Sequence, residues 1–383
     1  MNQIITSILD NDLYKFTMLN AVLKTYPNVP VEYTFHNRDK REFTGSIAEK
    51  IREQVNLMRK VKLTQIEEMY LRKECATLFD EDFYEHLRNF EFNPDDVHIW
   101  CYQGALSITI TGTWENTILW EVPLMAIISQ VYFEVNNPNT SLSLFKLDTA
   151  DKGKLIHSEG LNVVEFGTRR RFSKLAQSLA VSILKMNKGI TATSNMYFGM
   201  IHNLPVKGTT AHEWIMAHGV MTIYEKANTL ALEAWHNVYG TKLNIALTDT
   251  YSSKVFFRNF DRYDAIMING LRQDSGDPMI YTDMALKYYQ DNQIPGRNKT
   301  IMYSDSLNVE KAIAIQNYRK GENLKIYGMG TFLTNDIQGI TPLNMVIKLS
   351  SFDGKPTVKI SDDLGKNTGD SSEIINCKKE LNL

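Results

Sequence analysis

Residues 208–214 read Gly208-Thr209-Thr210-Ala211-His212-Glu213-Trp214, and the chain is best interpreted outward from this stretch. The Gly-Thr-Thr turn leads into an apolar run, which predicts a helix with Thr209 or Thr210 as its N-cap and Glu213 completing a capping box. His212 then lies in the first helical turn, where free backbone N–H groups favour an anion. A neutral imidazole there can attack a phosphoryl group. The alternative is a histidine that only packs at a helix start.

Length and composition describe an ordinary globular chain of two or three domains. It has 383 residues, of which 43% are hydrophobic and 22% charged, which is usual for a globular protein. Lys plus Arg number 42 against 44 for Asp plus Glu, so the net charge is -2. This balance argues against nucleic acid as a partner. The cysteines (Cys75, Cys101 and Cys377) are far apart, which indicates a reducing compartment and no metal cage.

The sequence predicts a cytoplasmic protein that does not act in a membrane. The first ten residues lack the basic region and apolar core of a signal peptide. The most apolar later run, Val122 to Phe133, contains Pro123 and is too short to cross a bilayer.

The opening third predicts an α+β domain spanning residues 1–125. A helix is expected over residues 10–24, followed by a strand from Val31 to His36. Residues 47–89 are charged, helical in pattern and mostly free of helix breakers. Two further strands, residues 97–102 and 106–113, are expected to pair through a turn at Gly104.

Residues 126–340 predict an α/β barrel, because short apolar strands alternate with helices in this part of the chain. Polar residues follow the strands, and the carboxyl ends of barrel strands form the catalytic face. The predicted strands begin at residues 162, 190, 243, 265, 300 and 324. A C-terminal segment, residues 341–383, is expected to return to the first domain with strands at 345–349 and 357–360 around a turn at 354–356.

Several strand ends carry groups suited to anions and sugars. Three arginines, residues 169–171, follow the first barrel strand, and a guanidinium fork suits a carboxylate or phosphate. Phe166 can stack on a flat ring, and Ser194 offers a small polar group at the same level. A solvated basic turn and a helix cap are the respective alternatives.

The later strand ends add carboxylates and glycines. Arg272, Asp274 and Asp277 surround a glycine turn that can hold a diphosphate, a sugar and Mg²⁺ through carboxylate and phosphate oxygens together. Asp305 presents another carboxylate after the next strand. The final turn places Gly328, Gly330 and Thr331 where backbone N–H groups can hold a monophosphate. No activated serine or cysteine, Walker loop or dinucleotide fingerprint is present, so the implied ligand is a phosphorylated sugar with a small acidic partner.

Five ordered motifs together resemble the nicotinate phosphoribosyltransferase family. They begin at Asp10, Glu165, Gly208, Arg272 and Tyr327, and read Asp-Asn-Asp-Leu-Tyr-Lys-Phe-Thr-Met, Glu-Phe-Gly-Thr-Arg-Arg-Arg, Gly-Thr-Thr-Ala-His-Glu-Trp, Arg-Gln-Asp-Ser-Gly-Asp-Pro and Tyr-Gly-Met-Gly-Thr. The resemblance implies an irregular seven-stranded α/β barrel joined to an α+β open-faced sandwich. It also implies a homodimer with shared active sites that joins nicotinate to phosphoribosyl pyrophosphate, with Mg²⁺ as cofactor and ATP as co-substrate.

The same resemblance implies roles for individual residues. His212 is the phosphorylated histidine, and Arg272 and Asp274 form the sugar–phosphate clamp. Phe166 and Arg169 belong to the nicotinate side, Ser194 is a further substrate-binding residue, and Asp305 belongs to the ribose. Glycines 328 and 330 with Thr331 hold the product phosphate, while Asp12 and Tyr14 reach into the partner's site. A nicotinamide-using relative and a silent sensor of nicotinate or a phosphoribosyl ligand remain the alternative functions; a quinolinate enzyme would suit a more basic pocket and a shorter chain.

Overall fold

A computed structural model describes residues 2–363 and 365–383. The strands are β1 Pro30–Asn37, β2 Val97–Tyr102, β3 Ala105–Thr113, β4 Val163–Glu165, β5 Ala192–Thr193, β6 Ile245–Leu247, β7 Gly270–Gln273, β8 Thr300–Tyr303, β9 Leu324–Met329, β10 Met345–Phe352 and β11 Lys355–Pro356.

The α-helices are α1 Leu13–Thr25, α2 Gly45–Leu57, α3 Gln65–Glu74, α4 Glu81–Asn89, α5 Trp114–Thr117, α6 Glu121–Asn136, α7 Ser143–Ser158, α8 Lys174–Met186, α9 Met196–His202, α10 His212–Met221, α11 Tyr224–Tyr239, α12 Ser253–Asn259, α13 Arg262–Met267, α14 Pro278–Asp291, α15 Val309–Asn317, α16 Thr331–Thr334 and α17 Ser371–Leu381.

The chain forms two compact units, each assembled from separate segments. Unit 1 contains residues 1–158, 164–207 and 329–348. Unit 2 contains residues 159–163, 208–328 and 349–383. The structure therefore returns the chain to unit 1 for a short stretch after β9 and then back to unit 2.

Unit 1 is built on an antiparallel sheet. Strand β3 pairs with β1, with Pro30 opposite Thr113, and with β2, with Val97 opposite Ile110. The first residues of β10 lie beside β1. These strands alternate buried and exposed residues, the pattern of a sheet with one covered face. The α+β pattern expected from the opening third is therefore confirmed.

Helix α6 forms the apolar centre of unit 1. Its residues 121–129 are buried on every side, and Leu124, Ile127 and Ile128 are fully buried. The continuous helical run Trp114–Asn136 is long and apolar enough to cross a membrane by length and composition alone, but 78% of its most apolar window is buried. An all-round apolar helix of this kind is a core helix when other elements cover it.

Unit 2 is built on parallel strands in the order β6-β7-β8-β9. Ile245 lies opposite Gly270, Gly270 opposite Thr300, and Thr300 opposite Leu324. Helices α12 to α15 connect these strands, so their carboxyl ends meet at one edge. In unit 1, β4 and β5 form a further parallel pair, and Val206 makes a single parallel bridge with Thr193 in place of a seventh strand. The predicted irregular α/β fold is confirmed.

Two predicted strands were wrong. Residues 265–269 belong to the end of α13 and the connection after it, because Asp261 caps a short helix by accepting from the Asp264 N–H at 2.8 Å. The strand begins instead at Gly270, where a Cβ would lie 2.4 Å from the Thr300 oxygen of β8. Residues 357–360 form only isolated bridges, and the hairpin turn lies at Asp353 and Gly354, which both have positive φ.

Candidate active site

In unit 2, polar side chains meet where the parallel strands end. Thr250 follows β6, Asp274 follows β7, and Ser304 and Asp305 follow β8. The in-register pairing of these strands brings the residues after them to the same edge. Residues far apart in the sequence therefore form one cluster, as the strand-end argument predicts.

His212 is the first residue of α10 and lies within this cluster. Its Nδ1 is 3.0 Å from the Thr250 hydroxyl, and its Nε2 is 3.1 Å from Asp274 Oδ2. The imidazole is only 5% exposed. Both ring nitrogens have a partner, so the ring orientation is fixed before any ligand binds.

The predicted capping arrangement before α10 was wrong. Ala211 is the N-cap, with no side-chain cap hydrogen bond. The Thr209 hydroxyl and the Thr210 carbonyl oxygen instead accept from Arg272 Nη1 at 2.8 and 3.3 Å. The threonines therefore tie the loop before His212 to the strand β7, rather than closing the helix end.

Arg272 bonds Asp274, the same carboxylate that contacts His212. Its Nε donates to Ser304 Oγ at 2.8 Å, and its Nη2 donates to Asp274 Oδ1 at 3.1 Å. Burial opposes ionisation of Asp274, but the Arg272 charge and the His212 hydrogen bond outweigh it and hold the pKa of Asp274 well below its usual range. Asp274 is thus an ionised acceptor for the imidazole. The guanidinium side chain keeps 11% exposure, which leaves it accessible to a ligand.

The C-terminal segment of unit 2 contributes groups that the sequence interpretation missed. The Ile360 N–H donates to the Thr250 carbonyl oxygen at 2.7 Å, which places Lys359 beside the strand ends. Lys359 Nζ lies 3.4 Å from Asp249 Oδ2, which also accepts from Ser275 Oγ at 2.6 Å. Nothing in the local sequence distinguishes Lys359 from a surface lysine on a strand.

Asp305 and Gly328 also lie in unit 2. Asp305 is 28% exposed, and Lys366 Nζ lies 3.9 Å away. Burial raises the pKa of Asp305, and the charge of Lys366 opposes that rise. Gly328 lies near the carboxyl end of β9 and is buried. The predicted residues His212, Arg272 and Asp274 are therefore in direct contact, with Asp305 two residues after the end of the next strand.

Unit 1 holds the remaining predicted residues, among them Asp12. Its side chain is 3% exposed, and Oδ1 accepts from Ser194 Oγ at 2.8 Å and from Thr168 Oγ1 at 3.1 Å. These bonds hold the Asp12 carboxylate within its own chain, and its role in a partner's site stays a prediction. Burial raises the pKa of Asp12, against the charge of Arg169 and these hydrogen bonds. Tyr14, in the first turn of α1, is half-buried and stays a prediction.

The structure separates the three consecutive arginines. Arg171 is fully buried and bonds both carboxylate oxygens of Asp10, at 2.7 and 2.9 Å. Arg170 is half-buried, and its carbonyl oxygen accepts from Asn335. Arg169 is 35% exposed and lies 3.4 Å from Glu121. Arg171 is therefore structural, whereas Arg169 and Arg170 are both partly exposed.

Phe166 and the glycine turn after β9 lie together in unit 1. The Phe166 N–H donates to the Met329 carbonyl oxygen at 2.7 Å. A Cβ on Gly330 would lie 3.0 Å from the Phe166 oxygen, so a side chain there would press on the Phe166 backbone. Thr331 begins the four-residue helix α16. The structure therefore places Phe166 beside the Gly330–Thr331 turn, while the two predicted phosphate glycines belong to different units.

Comparison with known proteins identifies the family. The model of the nicotinate phosphoribosyltransferase N-terminal domain matches residues 9–129, and the model of the nicotinate phosphoribosyltransferase family matches residues 161–383. Nicotinate phosphoribosyltransferase of Desulforapulum autotrophicum is 42% identical, over 98% of this chain and 99% of the relative. The Chromohalobacter salexigens enzyme of the same name is 39% identical over 98% of each chain.

Solved structures give the same result. The crystal structure of nicotinate phosphoribosyltransferase from Porphyromonas gingivalis superposes with a TM-score of 0.96 at 37% identity, covering 99% of this chain and 100% of that one. A putative nicotinate phosphoribosyltransferase from Saccharomyces cerevisiae gives a TM-score of 0.95 at 33% identity, covering 100% and 99%. Sequence and structure agree along both units, and the chain belongs to the nicotinate phosphoribosyltransferase family.

Proposed function

We propose that this chain transfers the phosphoribosyl group of phosphoribosyl pyrophosphate to nicotinate, with ATP hydrolysis coupled to the transfer through His212. The products are nicotinate mononucleotide and pyrophosphate, together with ADP and phosphate, and the reaction begins NAD salvage from nicotinate. The observation that carries the coupling is the setting of His212, whose imidazole is held between Thr250 and an ionised Asp274.

This setting suits a nucleophile. An ionised Asp274 accepts the hydrogen of Nε2, so a neutral imidazole keeps its lone pair on Nδ1, beside the Thr250 hydroxyl. A neutral ring nitrogen attacks phosphorus, and a fixed ring orientation lowers the entropic cost of that attack. A phosphoryl group on His212 adds negative charge and acceptor oxygens beside Arg272, which reorders the local hydrogen bonds.

The transfer step depends on charge and positioning. Departure of pyrophosphate leaves positive character on the ribose C1 and ring oxygen, and Arg272 stabilises the departing diphosphate. The pyridine nitrogen of nicotinate has no proton to lose, so the attack needs no general base. Arg169 pairs with the nicotinate carboxylate, Phe166 and the partner's Tyr14 stack on the ring, and Ser194 lies at the same level. Asp274 and Asp305 bind the ribose hydroxyls, and Gly328, Gly330 and Thr331 bind the product phosphate.

Mg²⁺ enters mainly as the counter-ion of the diphosphate. Among residues 2–363 and 365–383, no group of three or more His, Cys, Asp or Glu side chains is arranged to hold a metal ion. Mg²⁺ commonly keeps several waters and binds through one or two carboxylates plus substrate phosphates. The carboxylates after β7 and β8 fit that partial role. When bound, the ion neutralises the leaving diphosphate.

The assembly and the location follow from the family resemblance. We propose a cytoplasmic homodimer in which Tyr14 of one subunit contributes to the site of the other. Neither nucleic acid nor a membrane is a partner in this function, in keeping with the net charge of -2 and the burial of the most apolar helix.

Radiolabelling tests the coupling. Incubation with γ-labelled ATP should label the wild-type protein with an acid-labile, base-stable phosphoryl group, as expected of phosphorus on nitrogen. His212→Asn should abolish labelling and ATP hydrolysis, yet leave a slower, ATP-independent formation of nicotinate mononucleotide. Acid-labile label on the variant, or none on an active wild type, would contradict the proposal. The matched control is His218→Asn, because His218 lies on the same helix but bonds the Trp214 carbonyl oxygen.

Arg169 bears on the choice between nicotinate and nicotinamide. A guanidinium favours a carboxylate over a neutral amide, and Arg169 is an accessible one. A competition assay with both bases decides between the two substrates. Calorimetry that showed binding of nicotinate and phosphoribosyl pyrophosphate without turnover would support a sensor instead.

A further inference from the structure

Glu165, the last residue of β4, is a buried carboxyl group that the proposed mechanism does not use. Its side chain is fully buried. It directly precedes the turn formed by residues 166–169, which carries Phe166 and Arg169. A carboxyl group costs free energy in such a place unless its oxygens are satisfied.

Three donors from three different segments converge on this carboxyl group. Oε1 accepts from the Gly167 N–H at 2.5 Å and from Gln177 Nε2 at 3.1 Å. Oε2 accepts from Thr193 Oγ1 at 2.6 Å. Glu165 therefore links the turn to α8 through Gln177 and to β5 through Thr193.

The rest of the turn is held by bonds of the same kind. The Gly167 carbonyl oxygen accepts from Thr334 Oγ1, and Thr168 Oγ1 donates to Asp12 and accepts from Gln177. A Cβ on Gly167 would lie 2.3 Å from Thr334 and 2.8 Å from Glu165, so the backbone is packed directly against both side chains. The Glu165 carboxyl group satisfies the central amide of this tightly packed turn.

We propose that Glu165 is a positioning residue for the base-binding side of the site: it fixes the turn at residues 166–169 so that Phe166 and Arg169 are presented together to nicotinate. This inference rests on the proposed function, which assigns those two residues to nicotinate. Burial raises the pKa of Glu165 to about 7, even though the three donors, one of them the Gly167 backbone amide, oppose the rise. The chain thus keeps a costly carboxyl group where a shared acceptor for the turn, α8 and β5 is required.

The test separates base binding from the other partial reactions. Glu165→Ala should raise KM for nicotinate by at least about tenfold, because small displacements of binding groups are costly. Phosphorylation of His212 should stay within about twofold, since it depends on groups in unit 2. Glu165→Gln, which keeps an acceptor for Gly167 and Gln177, should restore KM for nicotinate to within about threefold of the wild type.

A matched control removes global destabilisation from the comparison. Glu67→Ala deletes another buried carboxyl group of unit 1, one that caps α3 by bonding the Thr64 N–H, and it should leave KM for nicotinate unchanged. If Glu165→Ala does not fold, Thr193→Val removes the donor to Oε2 and should raise the same KM by a smaller factor. Equal shifts in the Glu165 and Glu67 variants, or no shift in folded Glu165→Ala or Thr193→Val, would overturn the inference.

Calorimetric titration with nicotinate gives a readout that does not require turnover. If the wild type binds nicotinate without forming product, the proposed function fails, and weaker binding by Glu165→Ala still supports the positioning role. If the wild type forms product and Glu165→Ala binds nicotinate equally well, the positioning role alone fails. A wild type that neither binds nor reacts overturns both.

Discussion

Two arginine–aspartate pairs, one in each unit, have the same chemistry and opposite settings. Arg171 and Asp10 in unit 1 are both fully buried and bond through two short contacts of 2.7 and 2.9 Å. Arg272 and Asp274 in unit 2 share one contact of 3.1 Å and keep 11% and 22% side-chain exposure. The first pair is closed to solvent and to ligands. The second is accessible, and its aspartate is shared with His212.

The comparison shows that burial, rather than residue type, separates structural from functional charges. Burial opposes ionisation of Asp10, but Arg171 outweighs it and holds the pKa of Asp10 at about 2. Arg171 donates hydrogen bonds to Asp10 and Gln177. Arg272 donates hydrogen bonds to four residues: Ser304, Thr209, Thr210 and Asp274. These contacts lie at an accessible edge, where a diphosphate can replace the weaker ones.

The largest effect is expected from breaking the buried pair. Arg171→Met leaves the Asp10 carboxylate buried and without its cation, which should lower the free energy of unfolding by about 3–5 kcal/mol. Chemical denaturation measures this loss. The double variant Asp10→Leu, Arg171→Met removes both charges and should recover much of the stability. A single variant as stable as the wild type would contradict the structural role of this pair.

Substitution in the accessible pair, Arg272 and Asp274, should lower the activity of the protein more than its stability. Arg272→Ala removes the charge proposed to stabilise the departing diphosphate, so kcat/KM should fall about 100- to 1000-fold. The free energy of unfolding should change by less than about 2 kcal/mol, because Asp274 keeps its hydrogen bonds to Ser304 and His212. A stability loss as large as that of Arg171→Met, with activity per folded molecule retained, would remove the distinction between the pairs.

A third test extends the comparison to Glu165, a buried carboxyl group that has no arginine partner in the described part of the chain, and measures how stability depends on pH. The pKa of Glu165 is raised by burial from 4.5 to about 7 in the folded chain. The unfolded state loses its proton first, so stability falls as the pH rises from about 4.5 and the loss is complete above about 7. The change is about 3 kcal/mol, and Glu165→Gln should not show it. Parallel stability profiles of variant and wild type between pH 4 and 8 would contradict this assignment.

The sequence predicted those parts of the fold that depend on local pattern. Alternation and apolar runs located most strands of both sheets, including β2, β3 and β8, within one or two residues. The same reasoning failed at residues 265–269, since a short capped helix and a buried strand have similar composition there. It also failed before His212, where the threonines bond Arg272 rather than the helix end.

The sequence by itself determined which chemical groups gather at the strand ends, because parallel strands carry the residues that follow them to one edge. It identified His212, Arg272 and Asp274 as one set without stating their contacts. Only the tertiary structure decided that Arg171 is the buried arginine of residues 169–171, that Asp12 is bound within its own chain, and that Lys359 lies beside Asp249. Each of these depends on burial and on partners distant in sequence, and neither quantity is encoded in a local pattern.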